Sequence, residues 1–435
     1  MTPPAERKKT MYYEQRWRAL RDAIDERGAD GGRVVEAMQD YYTVFEDKAL
    51  AWLGSLFDSD IGGFYYSESA RDNEYISFNG KDYKLLPDIE STNQATNFLI
   101  TNEVFRDGAD FPRWMVERMA RFICEREDEK TGFFYHPQWP REMTDAKPNR
   151  RGRDLSWAEQ MSEKFGFALP YPTANQRLRN MKNDSSAVAE IPEYLRSEKK
   201  LIEYLDNLDF ENKAYVSGNN IAAQGSIIKA AGLGKAAVRY LNEKQSAETG
   251  YWGKTGGWEA VNGFLKISAF YETVGEPIPH AEKVVKYALE CGISSDPPPS
   301  SVCFQYNVWF SIWNIVSNLR KLGGADGNEK ADKVVVEMLR NATDAIVSSK
   351  QKALIFKKES GSFSMAPDQS SGTSQGMPVA IFYTNEGDVN ANGICSSGTA
   401  RMIYRALELE DYWIPIFSPK GREVFLSALK MPENT

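Results

Sequence analysis

The sequence predicts an all-α protein, a single-domain (α/α)6-7 toroid of helical hairpins, and three observations carry that expectation. Apolar residues recur at helical spacing along most of the chain, strand signals are few, and a glycine–aromatic turn returns at long intervals. The turn appears as Asp60-Ile61-Gly62-Gly63-Phe64-Tyr65-Tyr66, as Lys130-Thr131-Gly132-Phe133-Phe134-Tyr135-His136 and as Thr249-Gly250-Tyr251-Trp252. A weaker copy is Glu359-Ser360-Gly361-Ser362-Phe363. Glycine stops a helix by taking positive φ, and the aromatics after it fold back onto helix ends. The copies lie roughly 55 to 70 residues apart, or twice that, which suits two helices and their connections. At about 60 residues per unit the chain predicts roughly seven hairpins, closed as a ring of inner and outer helices.

In chain order, residues 12–28 and 33–57 read as amphipathic helices, with 1–30 an N-terminal helical extension of a catalytic domain spanning 1–435. Thr92 ends a polar stretch and reads as the cap of a helix starting near Asn93. A helix over 111–127 leads to the second turn. Residues 136–156 read as an irregular basic loop carrying Arg141, Lys147, Arg150, Arg151 and Arg153, and Gly166 to Ser186 as a loop-rich connection. Helices follow at 192–207, 219–233, 234–245, 261–274, 281–291, 303–322, 328–349, 398–408 and 420–430. The proline-rich 294–301 is a loop.

Composition narrows the function. Aromatic residues make up 12%, with 10 Trp and 21 Tyr, enough to fill a large helical core or to line a concave site that stacks on sugar faces. A net charge of −8 argues against nucleic acid as a partner. Four cysteines without a CxxC pair argue against zinc and against a disulfide scaffold, and two histidines leave no His-rich metal centre. No metal or cofactor is expected. No apolar run reaches membrane-span length and the N-terminus has no signal-like core. The expected location is cytoplasmic for the chain as written, and periplasmic or secreted where a leader has been removed.

Through its glycine–aromatic turns and the stretches Trp252–Lys266 and Gln305–Trp309, the chain resembles the (α/α)-toroid carbohydrate-active enzymes. The closest resemblance is to uronate polysaccharide lyases of the alginate or glucuronan type. Six-hairpin glycosidases belong to the same group, and a non-catalytic sugar-binding toroid is the third alternative. Terpene cyclases share the topology, but the chain has no DxDD or DDxxD cluster. The resemblance implies an anionic polysaccharide or oligosaccharide as partner and β-elimination as the reaction. That reaction needs a neutraliser for the C6 carboxylate, a base for the C5 proton and an acid for the leaving oxygen.

Tyr306 is the expected acid and base, His136 the better-placed histidine, and Arg153, Asn262 and Asn219 the expected neutralisers. Trp252, Lys254, Trp258, Glu259, Lys266, Gln305, Arg150 and Asn219 are expected at the sugar-binding face, and Arg150 and Arg153 are the candidates for gripping a carboxylate because guanidinium binds it bidentately. The Asn-His-Tyr-Arg pattern of better-known toroid lyases is not visible. Hydrolysis would instead need two carboxylates, from Asp88, Glu90, Asp154, Glu259 and Asp388.

Overall fold

A computed structural model describes residues 4–180, 192–254, 256–294 and 300–431. Six helices stand on the outside of a ring: α3 (Lys48–Ser55), α6 (Arg113–Cys124), α10 (Glu198–Asp206), α13 (Gly234–Lys244), α15 (Val284–Ile293) and α17 (Gly324–Phe356). Each is followed by an inner helix. These are α5 (Ile89–Thr101), α8 (Pro148–Phe165), α11 (Ala214–Ala223) continued by α12 (Gly225–Ala230), α14 (Gly257–Val274), α16 (Cys303–Leu322) and α18 (Val389–Gly393). The last continues through a π-helical turn, Ile394–Gly398, into α19 (Thr399–Ala406). Packing runs from α5 to α8, α11, α14, α16 and α19, and α18 returns to α5. That closure fixes the ring at six pairs. α1 (Pro4–Asp25) and α2 (Gly31–Tyr42) pack on each other, with α2 against α17, and α20 (Gly421–Ala428) packs on α3.

An inner helix must be acceptable to neighbours on nearly every side, and α16 shows how the sequence achieves that. Val308, Trp309, Ile312, Ile315 and Val316 are buried, and so are the amides Gln305, Asn307, Asn314 and Asn318. The buried amides find partners on neighbouring elements, as in Asn314 to Ser268 of α14 (2.8 Å). Cys303, Tyr306, Phe310 and Trp313 stay partly open and fall on one stripe of the helix.

The four glycine–aromatic turns share one construction. The first carries strands β1 (Phe57–Asp58) and β2 (Gly63–Phe64), paired Phe57 to Phe64. The others reduce to single bridges, Glu127 to Phe134, Gln245 to Trp252 and Lys357 to Phe363. Each turn joins an outer helix to its inner partner and leans on the following pair. A Cβ on Gly62 would lie 2.3 Å from Arg118 O in α6, and one on Gly361 would meet the Lys48 side chain of α3, so the last turn docks on the first pair. The steps from α10 to α11 and from α15 to α16 use other connections, which accounts for the doubled intervals in the sequence.

Three short helices, α4 (Glu68–Asp72), α7 (Arg141–Asp145) and α9 (Ala174–Asn180), lie in the connections. Two hairpins, β3–β4 (Tyr75–Phe78, Lys81–Lys84) and β5–β6 (Thr373–Ser374, Met377–Pro378), share a second small core. It is built on Tyr66, Ile76, Tyr83, Trp139 and Met377, and Trp139 Nε1 donates to Pro378 O at 3.1 Å.

Several sequence expectations change: Asp88, not Thr92, caps the helix, which begins at Ile89, and the helix expected over 33–57 is two, α2 and α3. The basic stretch is largely helix: Pro148 takes the first position of α8, where its missing N–H costs nothing, so Arg150 and Arg153 stand on a rigid element. Tyr215–Asn220 belongs to α11, and Gly324–Gly327 begins α17 instead of ending α16. Part of the connection expected up to Ser186 and part of the proline-rich loop lie outside the described residues.

Candidate functional site at the mouth of the ring

Alternation of outer and inner helices starts all six inner helices at one end of the ring, and their early turns carry the polar residues. Asp88 caps α5, accepting from Ser91 N at 2.9 Å. From the first turn of α8, the wholly buried Arg150 donates to Asp88 Oδ1 (2.8 Å), Glu90 Oε2 (3.0 Å) and Asp154 Oδ2 (2.9 Å). Its guanidinium also lies over the Trp139 ring at 4.7 Å. Burial disfavours the charge on Asp154, but Arg150 and His136 outweigh it and hold the carboxyl below its usual range. For Glu90 burial outweighs Arg153 and Arg150, and the carboxyl sits above its usual range.

Arg153, at the edge of this cluster, is 18% exposed. It donates to Glu90 Oε1 (3.1 Å) and to Asn219 Oδ1 (2.9 Å), and Asn219 Nδ2 donates to Gln375 Oε1 at 3.0 Å. Across the mouth, Lys266 of α14 has no hydrogen-bond acceptor among the described residues, and its Nζ lies 5.6 Å from the centre of the Tyr215 ring. Burial, helped by the charge of Arg153, pulls its pKa down to about 8.

Below the mouth, a cavity of about 480 Å³ opens between α5, α16 and α19, bounded by Gln94, Asn97, Tyr306, Gly398, Arg401 and Arg405. The π-helical turn ends at Gly398, where a Cβ would meet the Tyr306 ring at 3.0 Å and Gly393 O at 2.5 Å. Only glycine lets the tyrosine lie against that backbone. Burial raises the Tyr306 pKa against the opposing charge of Arg405, so the phenol rests protonated. Its hydroxyl has no hydrogen-bond partner among the described residues.

Several expected site residues hold the ring together instead. His136 is 2% exposed, 3.3 Å from Asp154 Oδ2 and edge-on to Trp139; burial lowers its pKa and closes it off from the cavity. Arg150 is committed to three carboxylates. Trp252 belongs to the core, its indole N–H on Leu241 O at 2.8 Å. Lys254 pairs with the exposed Glu211, and Trp258 packs on Phe304 at 4.5 Å. Glu259 accepts from Tyr215 N at 2.9 Å and pins the start of α11. Asn262 accepts from Asn307 at 2.6 Å and ties α14 to α16, and Gln305 donates to Cys395 Sγ at 2.9 Å. Arg153, Asn219, Lys266 and Tyr306 remain at the mouth and cavity.

The carboxylate candidates are committed too. Asp88, Glu90 and Asp154 surround Arg150, and Glu259 holds Tyr215 N. Asp388 caps α18 through Ala391 N (2.7 Å) and accepts from Met365 N (2.9 Å), and burial raises its pKa to about 7. Sequence reasoning missed Gln375, Tyr215 as a ring beside Lys266, and Gly398. For Gln375 a signal existed: Ser374-Gln375-Gly376-Met377 has the length of a two-residue hairpin loop.

Comparison with protein-family models and with curated proteins finds no match. Among solved structures, a protein from Actinoplanes is 12% identical with a TM-score of 0.40, over 86% of this chain and 99% of that one. Type II terpene cyclase MstE from Scytonema, in complex with merosterolic acid A, is also 12% identical with a TM-score of 0.40, over 87% and 99%. Its apo form gives 0.38 at 12% identity, over 87% and 100%. Likeness this distant transfers no activity. The class rests on the chain's own closed packing: it is an all-α toroid of six helical pairs.

Proposed function

We propose that the chain is a lyase that cleaves an oligosaccharide or polysaccharide containing uronic acid by β-elimination at the mouth of the ring. The observation that carries this reading is the pair of mostly buried cations at the mouth, Arg153 and Lys266, set among amide side chains in a chain of net charge −8. An amide- and cation-lined mouth suits a hydroxylated anion better than a hydrocarbon.

Arg153, held in place by Asn219, binds the C6 carboxylate, which makes the C5 proton acidic enough to remove. Lys266, its pKa pulled down to about 8, accepts that proton, a role His136 cannot reach from inside the protein. The C5–H electrons form the C4–C5 double bond as the C4–O bond breaks. Tyr306, resting as a phenol, gives its proton to the leaving oxygen. Hydrolysis is less well supported, because every candidate carboxylate is already bound within the protein. Calorimetry with glucuronate and glucose tests the binding half: wild type is expected to prefer the acid and Arg153→Ala to lose that preference. Equal binding of the two sugars by wild type contradicts the reading.

A further inference from the structure

We propose that Gln375 is a positioning residue that orients Arg153 and so sets the preference for an acidic over a neutral sugar; this rests on the uronate reading above. Gln375 and Gly376 form the tip of the β5–β6 hairpin, both at positive φ (51° and 79°). Glycine takes that conformation freely, and asparagine or aspartate is the usual non-glycine choice; glutamine is strained there. Strain of this kind persists where surrounding structure enforces it and concentrates at functional sites. Here the side chain is half-buried and reaches Asn219.

A carboxamide has one donor side and one acceptor side. With its Nδ2 committed to Gln375, Asn219 must turn Oδ1 toward Arg153. The other terminal nitrogen of Arg153 is held by Glu90, whose second oxygen rests on the wholly buried Arg150. The guanidinium is therefore fixed at both terminal nitrogens before any ligand arrives. The hairpin has a firm root, because Trp139 Nε1 holds Pro378 O. Without the Gln375 amide, Asn219 is free to flip and present a donor to a donor, and Arg153 loses one of its two anchors.

The test compares wild type with Q375A by calorimetry, using glucuronate and glucose as probes. Loss of one orienting hydrogen bond should weaken glucuronate binding about five- to tenfold and leave glucose unchanged. An equal loss for both sugars, or no loss for either, overturns the inference. A second readout needs no ligand: exchange of the Arg153 Nη2 protons, the ones Asn219 holds, followed by nuclear magnetic resonance, should accelerate at least about fivefold in Q375A. Unchanged exchange overturns the inference by itself. Wild type binding neither sugar overturns the uronate reading, and the exchange measurement still decides whether Gln375 positions Arg153.

Discussion

Arg150 Nη1 and Glu90 Oε2 lie 3.0 Å apart inside the ring, and the other oxygen of the same carboxylate holds Arg153 at the mouth. One glutamate thus joins a sealed cation to an open one. The sealed cation binds α5 to α8; the other stands partly exposed at the mouth.

Replacing Arg150 by methionine should be severely destabilising, because Asp88, Glu90 and Asp154 would remain buried without their counter-charge. Removing one partner of a buried ionic group costs roughly 3–5 kcal/mol. Urea unfolding followed by circular dichroism measures it, and a loss under about 1 kcal/mol would mean the cluster is not closed as described.

The turn glycines are testable in the same way. Gly62 has φ +89° and no room for a Cβ beside Arg118 O, so Gly62→Ala should cost on the order of 2 kcal/mol or more. The urea midpoint would fall, with little change in slope.

Much of the ring was legible because helical periodicity and the glycine turns are local signals. The six pairs fall within the six to seven expected from a unit of about 60 residues, although two of the six steps lack the turn. The site was less legible. Lys266 and Asn262 share a face of α14, as spacing implied, yet only the packing of α16 shows that Asn262 is spent on Asn307. Trp252 and Glu259 looked like ligand contacts because aromatics and acids serve cores and caps equally well. Gln375 reaches Asn219 across 156 residues, a distance no periodicity spans.

Asp388 gives a pH signature of known sign. Its folded pKa of about 7 lies above the usual carboxylate value, so the folded state keeps a proton that the unfolded state releases. Stability from this group is full below about pH 4 and is lost as pH rises toward 7. The stability of wild type minus that of Asp388→Asn should therefore be larger at about pH 5 than at about pH 8. A wild-type-minus-variant difference that grows with rising pH would contradict the assignment.

If Lys266 is the base, only its neutral amine works, and turnover should rise with pH and level off above about 8. Lys266→Met should abolish turnover. Lys266→Arg, permanently charged, should still bind the acid and remain inactive at every pH. A turnover that falls as pH approaches 8 would remove Lys266 from that role.

The most direct measurement is the ultraviolet absorbance of the unsaturated product when the protein is incubated with alginate or glucuronan, for wild type and for Tyr306→Phe. The account predicts a steady rise for wild type and none for Tyr306→Phe, with uronate binding retained. Full activity in Tyr306→Phe, or new reducing ends from wild type without that absorbance, would contradict it.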